Sequence, residues 1–331
     1  MAIQFAASRM APAAGVDCCL EEAAALVQSR DFLTAKCVTP ELQFINDHDF
    51  HFASPEPSPF ASNHRVFGRL YRSGLDWRER PAVILIHGWN DAPNHFLRFP
   101  GLARQFNRVG LNALTFELPY HFQRRPGREA GVARDFLCAN IRRTAEAAAQ
   151  AVAEIGALTH WLRAQGCPHL GLFGISLGGW LGGLAVCHEP HLDAAVLVVP
   201  VSRLDRMIQE AAFCQSLAAA INGRPVAFGR LNLLASPPLV AKEKILLIEA
   251  AYDLFVPAET VEELAQAWGG PEVWRRRVGH VTVLALPGLT GRIVKWMAAQ
   301  LREPAAKHTS SCQDNTSAAD PPLSSNPHGS S

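Results

Sequence analysis

The sequence predicts an α/β fold: a mostly parallel sheet with helices on both faces. Three observations carry that expectation. Five short apolar runs, Ala82–Ile86, Asn112–Phe116, Leu170–Phe173, Ala194–Val199 and Ile245–Ala250, are continuous rather than alternating, as strands covered on both faces are. Helical stretches fall between them, at about Phe96–Val109, Phe136–Gln165, Gly178–Cys187 and Ala258–Trp268. Strand–helix alternation implies parallel pairing through right-handed crossovers. Finally, 331 residues, 48% of them hydrophobic and without internal repeat, suit one α/β unit with a sizeable core.

The remaining elements are read from the N-terminus onward. Residues 1–62 read as an extension wrapping the core: Cys19 to Phe32 has helical periodicity, and Ser54-Pro-Glu-Pro-Ser-Pro59 is an irregular linker. Residues 63–302 form the core domain. Within it, Val201 to Lys242 interrupts the rhythm between two strands and is expected to be a small helical cap over a pocket. The last strand is placed at Glu272–Arg277. Residues 303–331 are polar and rich in Ser and Pro, too poor in apolar groups to offset the entropy of ordering, and are expected to be disordered.

Charge and cysteine usage narrow the partners. The formal net charge of +1 argues against a nucleic-acid binder, whose phosphate contacts need a basic excess. None of the eight cysteines lies in a CxxC pair or shows metal-ligand spacing, and Cys138, Cys187 and Cys214 sit in apolar segments. Reduced, buried thiols are therefore expected. Arg9, Asp17 and Glu21 interrupt the N-terminal stretch, which does not read as a signal peptide, and no apolar run is long enough to span a bilayer. These features point to the cytoplasm.

The chemistry centres on Gly174-Ile-Ser176-Leu-Gly178. The string follows the apolar run Leu170–Phe173 and precedes a helix of small residues, the strand–turn–helix context of a nucleophile elbow. A serine at the tip of that turn is held in a strained backbone, and side chains two residues either side would collide, so both positions are Gly. The helix behind it points its first amides at the same place, favouring a developing oxyanion.

Ile84-Leu-Ile-His87-Gly88-Trp89-Asn90, a buried strand ending in His-Gly, resembles the oxyanion loop of the α/β-hydrolase superfamily. The resemblance implies an oxyanion hole of two backbone amides, Leu177 and Trp89, with Asn90 a close competitor. His87 itself reads better as a hydrogen-bonded core histidine. Glu249-Ala-Ala-Tyr-Asp253-Leu-Phe-Val-Pro257 resembles the family's triad-acid loop; Asp253 is the expected acid, and Glu249, inside the strand pattern, is the alternative. His280, in Arg277-Val-Gly279-His280, is the only histidine after Asp253 outside the polar tail, and gives the order Ser, Asp, His of this fold. It would act as general base.

These features cover about Pro81 to Leu301. A finer resemblance rests on Leu118-Pro-Tyr120, Arg124-Arg-Pro126, Leu158-Thr-His-Trp-Leu-Arg163 and Gly174-Ile-Ser176-Leu-Gly-Gly179. Together these are similar to the eighteenth α/β-hydrolase-domain-containing family, with Leu177 and Trp180 as departures that bear on pocket shape. Arg124, Arg125 and Arg128, with Tyr120, are candidate substrate-binding residues for an anionic group; the alternative is a solvated loop or structural ion pairs. The expected activity is hydrolysis of a carboxylic ester, lipid-like or anionic, through a serine acyl-enzyme without metal or organic cofactor. Amide or thioester hydrolysis and acyl transfer run on the same triad, and a non-catalytic binding protein is the alternative of another class.

Overall fold

The computed structural model describes residues 19–29, 31–34, 38–127, 133, 135–221 and 228–302. The expected disordered tail and Arg128 lie outside these residues, as does most of the N-terminal stretch. Nine strands form one sheet: β1 (Gln43–Phe44), β2 (Asp49–Ala53), β3 (Arg65–Tyr71), β4 (Ala82–Ile86), β5 (Asn112–Phe116), β6 (Leu170–Ile175), β7 (Ala194–Val198), β8 (Ile245–Ala250) and β9 (Glu272–Arg276). Their order is β1-β2-β3-β5-β4-β6-β7-β8-β9. The first three strands and the β3–β5 pair are antiparallel, and the rest of the sheet is parallel.

The continuous apolar strands work because each face has its own core. Ile84 and Ile86 of β4 face one side with Leu172 and Leu197, while Val83 and Leu85 face the other with Phe173 and Val196. Side chains alternate along a strand, so a run buried on both faces must be apolar throughout. The first face is covered by α1 (Leu20–Gln28), α3 (Ile141–Ala164) and α4 (Leu177–His188), the second by α2 (Phe99–Arg108) and α8 (Leu289–Gln300). Helix α3 begins where Asn140 accepts a hydrogen bond from the Arg143 amide (2.9 Å), a side-chain N-cap. Several of its alanines, among them Ala145, Ala147, Ala148 and Ala151, are buried and let it lie close to the sheet layer.

The expected cap region carries α5 (Leu204–Glu210) and α6 (Gln215–Ile221) followed by short 3-10 turns at Gly229–Leu231 and Leu233–Ala235. It is inserted between β7 and β8, and α7 (Glu259–Ala267) follows β8. The main difference from expectation is at the other edge. Part of the presumed wrapping segment, together with residues 65–71, supplies three strands of the sheet. These strands alternate, with Phe50 and Phe52 buried in β2 and Val66 and Leu70 in β3 between more exposed neighbours. An Arg69–Asp49 ion pair (2.5 Å) ties β3 to β2 across this edge. Among the described residues, no helix is long and apolar enough to cross a membrane.

Candidate active site

The elbow between β6 and α4 has the expected strain. Ser176 sits at φ 57° and ψ −117°, outside the regions that side chains ordinarily adopt. A Cβ on Gly174 would lie 2.2 Å from the Gly178 carbonyl oxygen, and one on Gly178 would lie 2.3 Å from that of Ile86. The turn therefore exists only with glycine at both places. Gly88, at the end of β4, serves the same closeness from the other side: a Cβ there would be 3.4 Å from Ser176 Cβ.

The three expected side chains meet. The Ser176 hydroxyl donates to His280 Nε2 (2.7 Å), and His280 Nδ1–H donates to Asp253 Oδ2 (2.6 Å). The second oxygen, Asp253 Oδ1, accepts the amides of Phe255 (2.8 Å) and Val256 (2.9 Å). Asp253 is thus locked by its own loop, with its carboxylate 2% exposed. The alternative acid, Glu249, lies within β8 and pairs with Arg275 (3.4 Å) instead. His280 opens a 3-10 turn, His280–Ala285.

A cavity of about 510 Å³ opens beside Ser176 and is lined by Trp89, Asn90 and Leu177 together with His280. Its wall is mostly apolar, built from Leu137, Ile175 and Trp180 below and from Leu204, Met207 and Phe213 of the cap region. Sequence reasoning anticipated the cap and the bearing of Trp180 on pocket shape, but not the other lining residues, whose apolar side chains look like ordinary core. Trp180, fully buried, hydrogen-bonds its indole N–H to the Leu231 carbonyl (2.6 Å), fixing the floor to the cap. Asn90 has a positive φ of 51° and its side chain accepts the Ala133 amide (2.5 Å). Among the described residues lining the cavity, Arg98 is the sole arginine or lysine.

The expected substrate-binding residues Tyr120, Arg124 and Arg125 line none of this cavity, which corrects that expectation. Arg124 is fully buried and points inward from the 3-10 turn Phe122–Arg124. It forms a bidentate ion pair with buried Glu154 of α3 (2.6 and 2.7 Å) and donates to the carbonyls of Glu117 and Asn63. Tyr120 is 2% exposed and its hydroxyl lies 3.5 Å from Ser58 Oγ. The arginine pattern was genuine, but its anionic partner is the protein's own carboxylate. An acid in the apolar stretch Ala151-Val-Ala-Glu154-Ile-Gly-Ala157 was the available signal, since a charge surrounded by core residues needs a partner.

His87 is the core histidine that the sequence suggested. Fully buried, it donates Nδ1–H to the Gly88 carbonyl (2.7 Å) and accepts the Leu118 amide at Nε2 (3.1 Å), bracing the loop that carries Trp89. His95 and His121 pack edge-on against its ring. Burial pushes His121 down to about 3 and His95 to about 4, and holds His87 well below its usual value. Each takes up a proton more readily unfolded, near pH 6.5, than folded. Their stabilising contribution is therefore complete above that value and declines as pH falls toward the folded value. For His121 alone the loss between pH 7 and pH 5 is about 2 kcal/mol. Urea unfolding at the two pH values should show His121→Gln losing less stability on acidification than the wild type by that margin. An equal loss in both would contradict the assignment.

With fold and geometry in place, the class is defined: this is an α/β hydrolase fold. A model of the family "Alpha/beta hydrolase domain containing 18" matches residues 15–219, and the chain belongs to that family. The uncharacterized protein Rv2627c of Mycobacterium tuberculosis is 29% identical over 228 residues, covering 67% of this chain and 54% of its own. The chain thus spans about half the length of the curated relatives it matches. Among solved structures, an acetyl xylan esterase from Paenibacillus sp. R4 aligns with a TM-score of 0.56 at 13% identity, over 89% of this chain and 99% of that one. The Pyrococcus furiosus esterase Pf2001 aligns at 0.54 and 18% identity, over 81% and 99%. At these identities the structural likeness concerns the fold.

Proposed function

We propose that the protein is a serine hydrolase that cleaves carboxylic esters with an apolar acyl group. The observation that carries this reading is the Ser176–His280–Asp253 hydrogen-bond chain, at 2.7 and 2.6 Å, opening into an apolar cavity. In the proposed reaction Ser176 Oγ attacks the ester carbonyl while its proton passes to His280 Nε2. Asp253 keeps the imidazole in the required tautomer and stabilises the imidazolium. The negative charge on the carbonyl oxygen falls to backbone amides, Leu177 at the start of α4 and Trp89 or Asn90 in the opposing loop. His280 returns the proton to the leaving alcohol, an acyl-enzyme remains on Ser176, and water releases the acid by the same steps in reverse roles.

The apolar wall supplies the specificity. Burying one further methylene is worth about 0.8 kcal/mol, so kcat/KM should rise about fourfold per added methylene until the cavity is full. A panel of p-nitrophenyl esters from acetate upward tests this. Activity that is flat or falls with chain length would count against the acyl-pocket reading, while leaving the triad itself standing.

A further inference from the structure

A second cluster of chemistry-bearing side chains lies far from Ser176. Helix α4 begins at Leu177 and ends at His188, and its twelve residues carry the chain about 18 Å away. There Glu189 and His191, in the loop before β7, meet His160 from the C-terminal half of α3. One ligand atom from each of the three lies within 4.8 Å of the others. The His160 and His191 rings stand edge to face with centroids 4.8 Å apart.

The hydrogen bonding around this cluster is incomplete in a specific way. Glu189 is 2% exposed, and its Oε1 accepts from His191 Nδ1 (2.8 Å) and from the His191 amide (3.0 Å). Its Oε2 is buried without a hydrogen-bond partner among the described residues, as is Nε2 of His160. His160 donates Nδ1–H to the Gly156 carbonyl (2.8 Å). That bond fixes the tautomer in which Nε2 carries a free lone pair. Leaving two such groups buried and unsatisfied is unfavourable unless something binds them. A ligating histidine characteristically donates its other ring N–H to a backbone carbonyl or a carboxylate, as His160 does to Gly156; His191 would ligate through Nδ1, exchanging its hydrogen bond to Glu189 Oε1 for the ion. Helix α3 also makes room for the carboxylate, since a Cβ on Gly156 would sit 3.0 Å from Glu189 Oε2.

We propose that His160, Glu189 and His191 form a zinc site that clamps α3 to the loop between α4 and β7. Two imidazoles and one carboxylate suit a borderline divalent ion rather than calcium or magnesium, which prefer all-oxygen shells. Three protein ligands leave a fourth position for water. Its distance from Ser176 separates this site from the proposed ester chemistry. The ion's role is to stabilise the fold, because anything that binds only the folded state does so.

The test uses the full chain, free of any histidine tag, stripped with EDTA and desalted. Zinc chloride is titrated by calorimetry, and melting is followed with and without zinc. The expected result is one tight equivalent in the wild type, weakened about 10- to 100-fold in His160→Gln and in His191→Gln, with the zinc-dependent rise in Tm lost in both. His191 is 34% exposed, so its variant keeps the result interpretable if His160→Gln fails to fold. Cobalt(II) provides an independent readout, giving a tetrahedral visible spectrum in the wild type and not in His191→Gln. Equal zinc affinity in wild type and His191→Gln, or no tight equivalent in the wild type, would overturn the proposal and leave the cluster a hydrogen-bonded His–Glu–His network.

Discussion

Asp253→Asn is expected to lower kcat by about four orders of magnitude while leaving the fold intact. The reason is a forced tautomer. Asp253 Oδ1 accepts two backbone amides, from Phe255 and Val256. An introduced amide keeps those bonds only by placing its carbonyl oxygen there, which turns its NH2 toward His280 Nδ1. That nitrogen must then be an acceptor, so the proton moves to Nε2, and Nε2 can no longer take the Ser176 proton. Thermal unfolding should change little, because the loop bonds survive. Ser176→Ala should fall further, and combining it with Asp253→Asn should cost little more, since members of such a chain act as one unit and their losses do not add. A loss of less than about tenfold in kcat for Asp253→Asn would mean that Asp253 does not orient His280 in the reaction.

Arg124→Ala should destabilise the protein by about 3–5 kcal/mol without changing the preference between neutral and anionic esters. The guanidinium and Glu154 are both fully buried, and removing one partner strands the other as an uncompensated charge. The damage would spread, because Glu154 also accepts Ser54 Oγ (2.6 Å) and Arg124 also binds the Asn63 carbonyl. Asn63 in turn donates to Gln150 of α3 (2.7 Å) and accepts the Tyr120 amide (3.0 Å). This network joins the segment before β3 to the loop after β5. Replacing both ion-pair members with Leu should restore much of the stability, since a packed apolar pair avoids desolvating charge. Urea unfolding of the single and double variants measures both effects. A single variant that stays within about 1 kcal/mol of wild type but loses discrimination for anionic esters would return Arg124 to substrate binding.

The two outcomes for arginine and serine illustrate what is legible in a sequence. Strands β4 to β8 are visible because burial on both faces forces an uninterrupted apolar run. The elbow is visible because steric closeness at Gly174 and Gly178 admits one residue type. Asp253 and His280 follow from chain order around that elbow, although their meeting depends on two loops at the ends of different strands. Strands β2 and β3 carry weaker marks. Fewer than half of their residues are buried, with Asp49, His51, Arg65 and Arg69 among the others, and β3 has a glycine at its middle where the Phe50 ring presses in. Read locally, such segments look like irregular chain. For Arg124 the sequence offers both an anionic ligand and a structural ion pair, and the structure takes the second: its type is plain from sequence, but whether it turns toward solvent or toward Glu154, thirty residues away, is a tertiary outcome. The lining of the cavity by Met207 and Phe213 is likewise set by how the cap lies on the sheet, which periodicity alone does not report.

The central claim is that His280 activates Ser176 as a nucleophile. The most direct measurement is reaction with a fluorophosphonate, which phosphonylates an activated serine, followed by intact-mass analysis and peptide mapping. The expected result is a single adduct on the peptide carrying Ser176, absent in Ser176→Ala and strongly slowed in His280→Gln. No adduct on the folded wild type, or one that persists in Ser176→Ala, would contradict it.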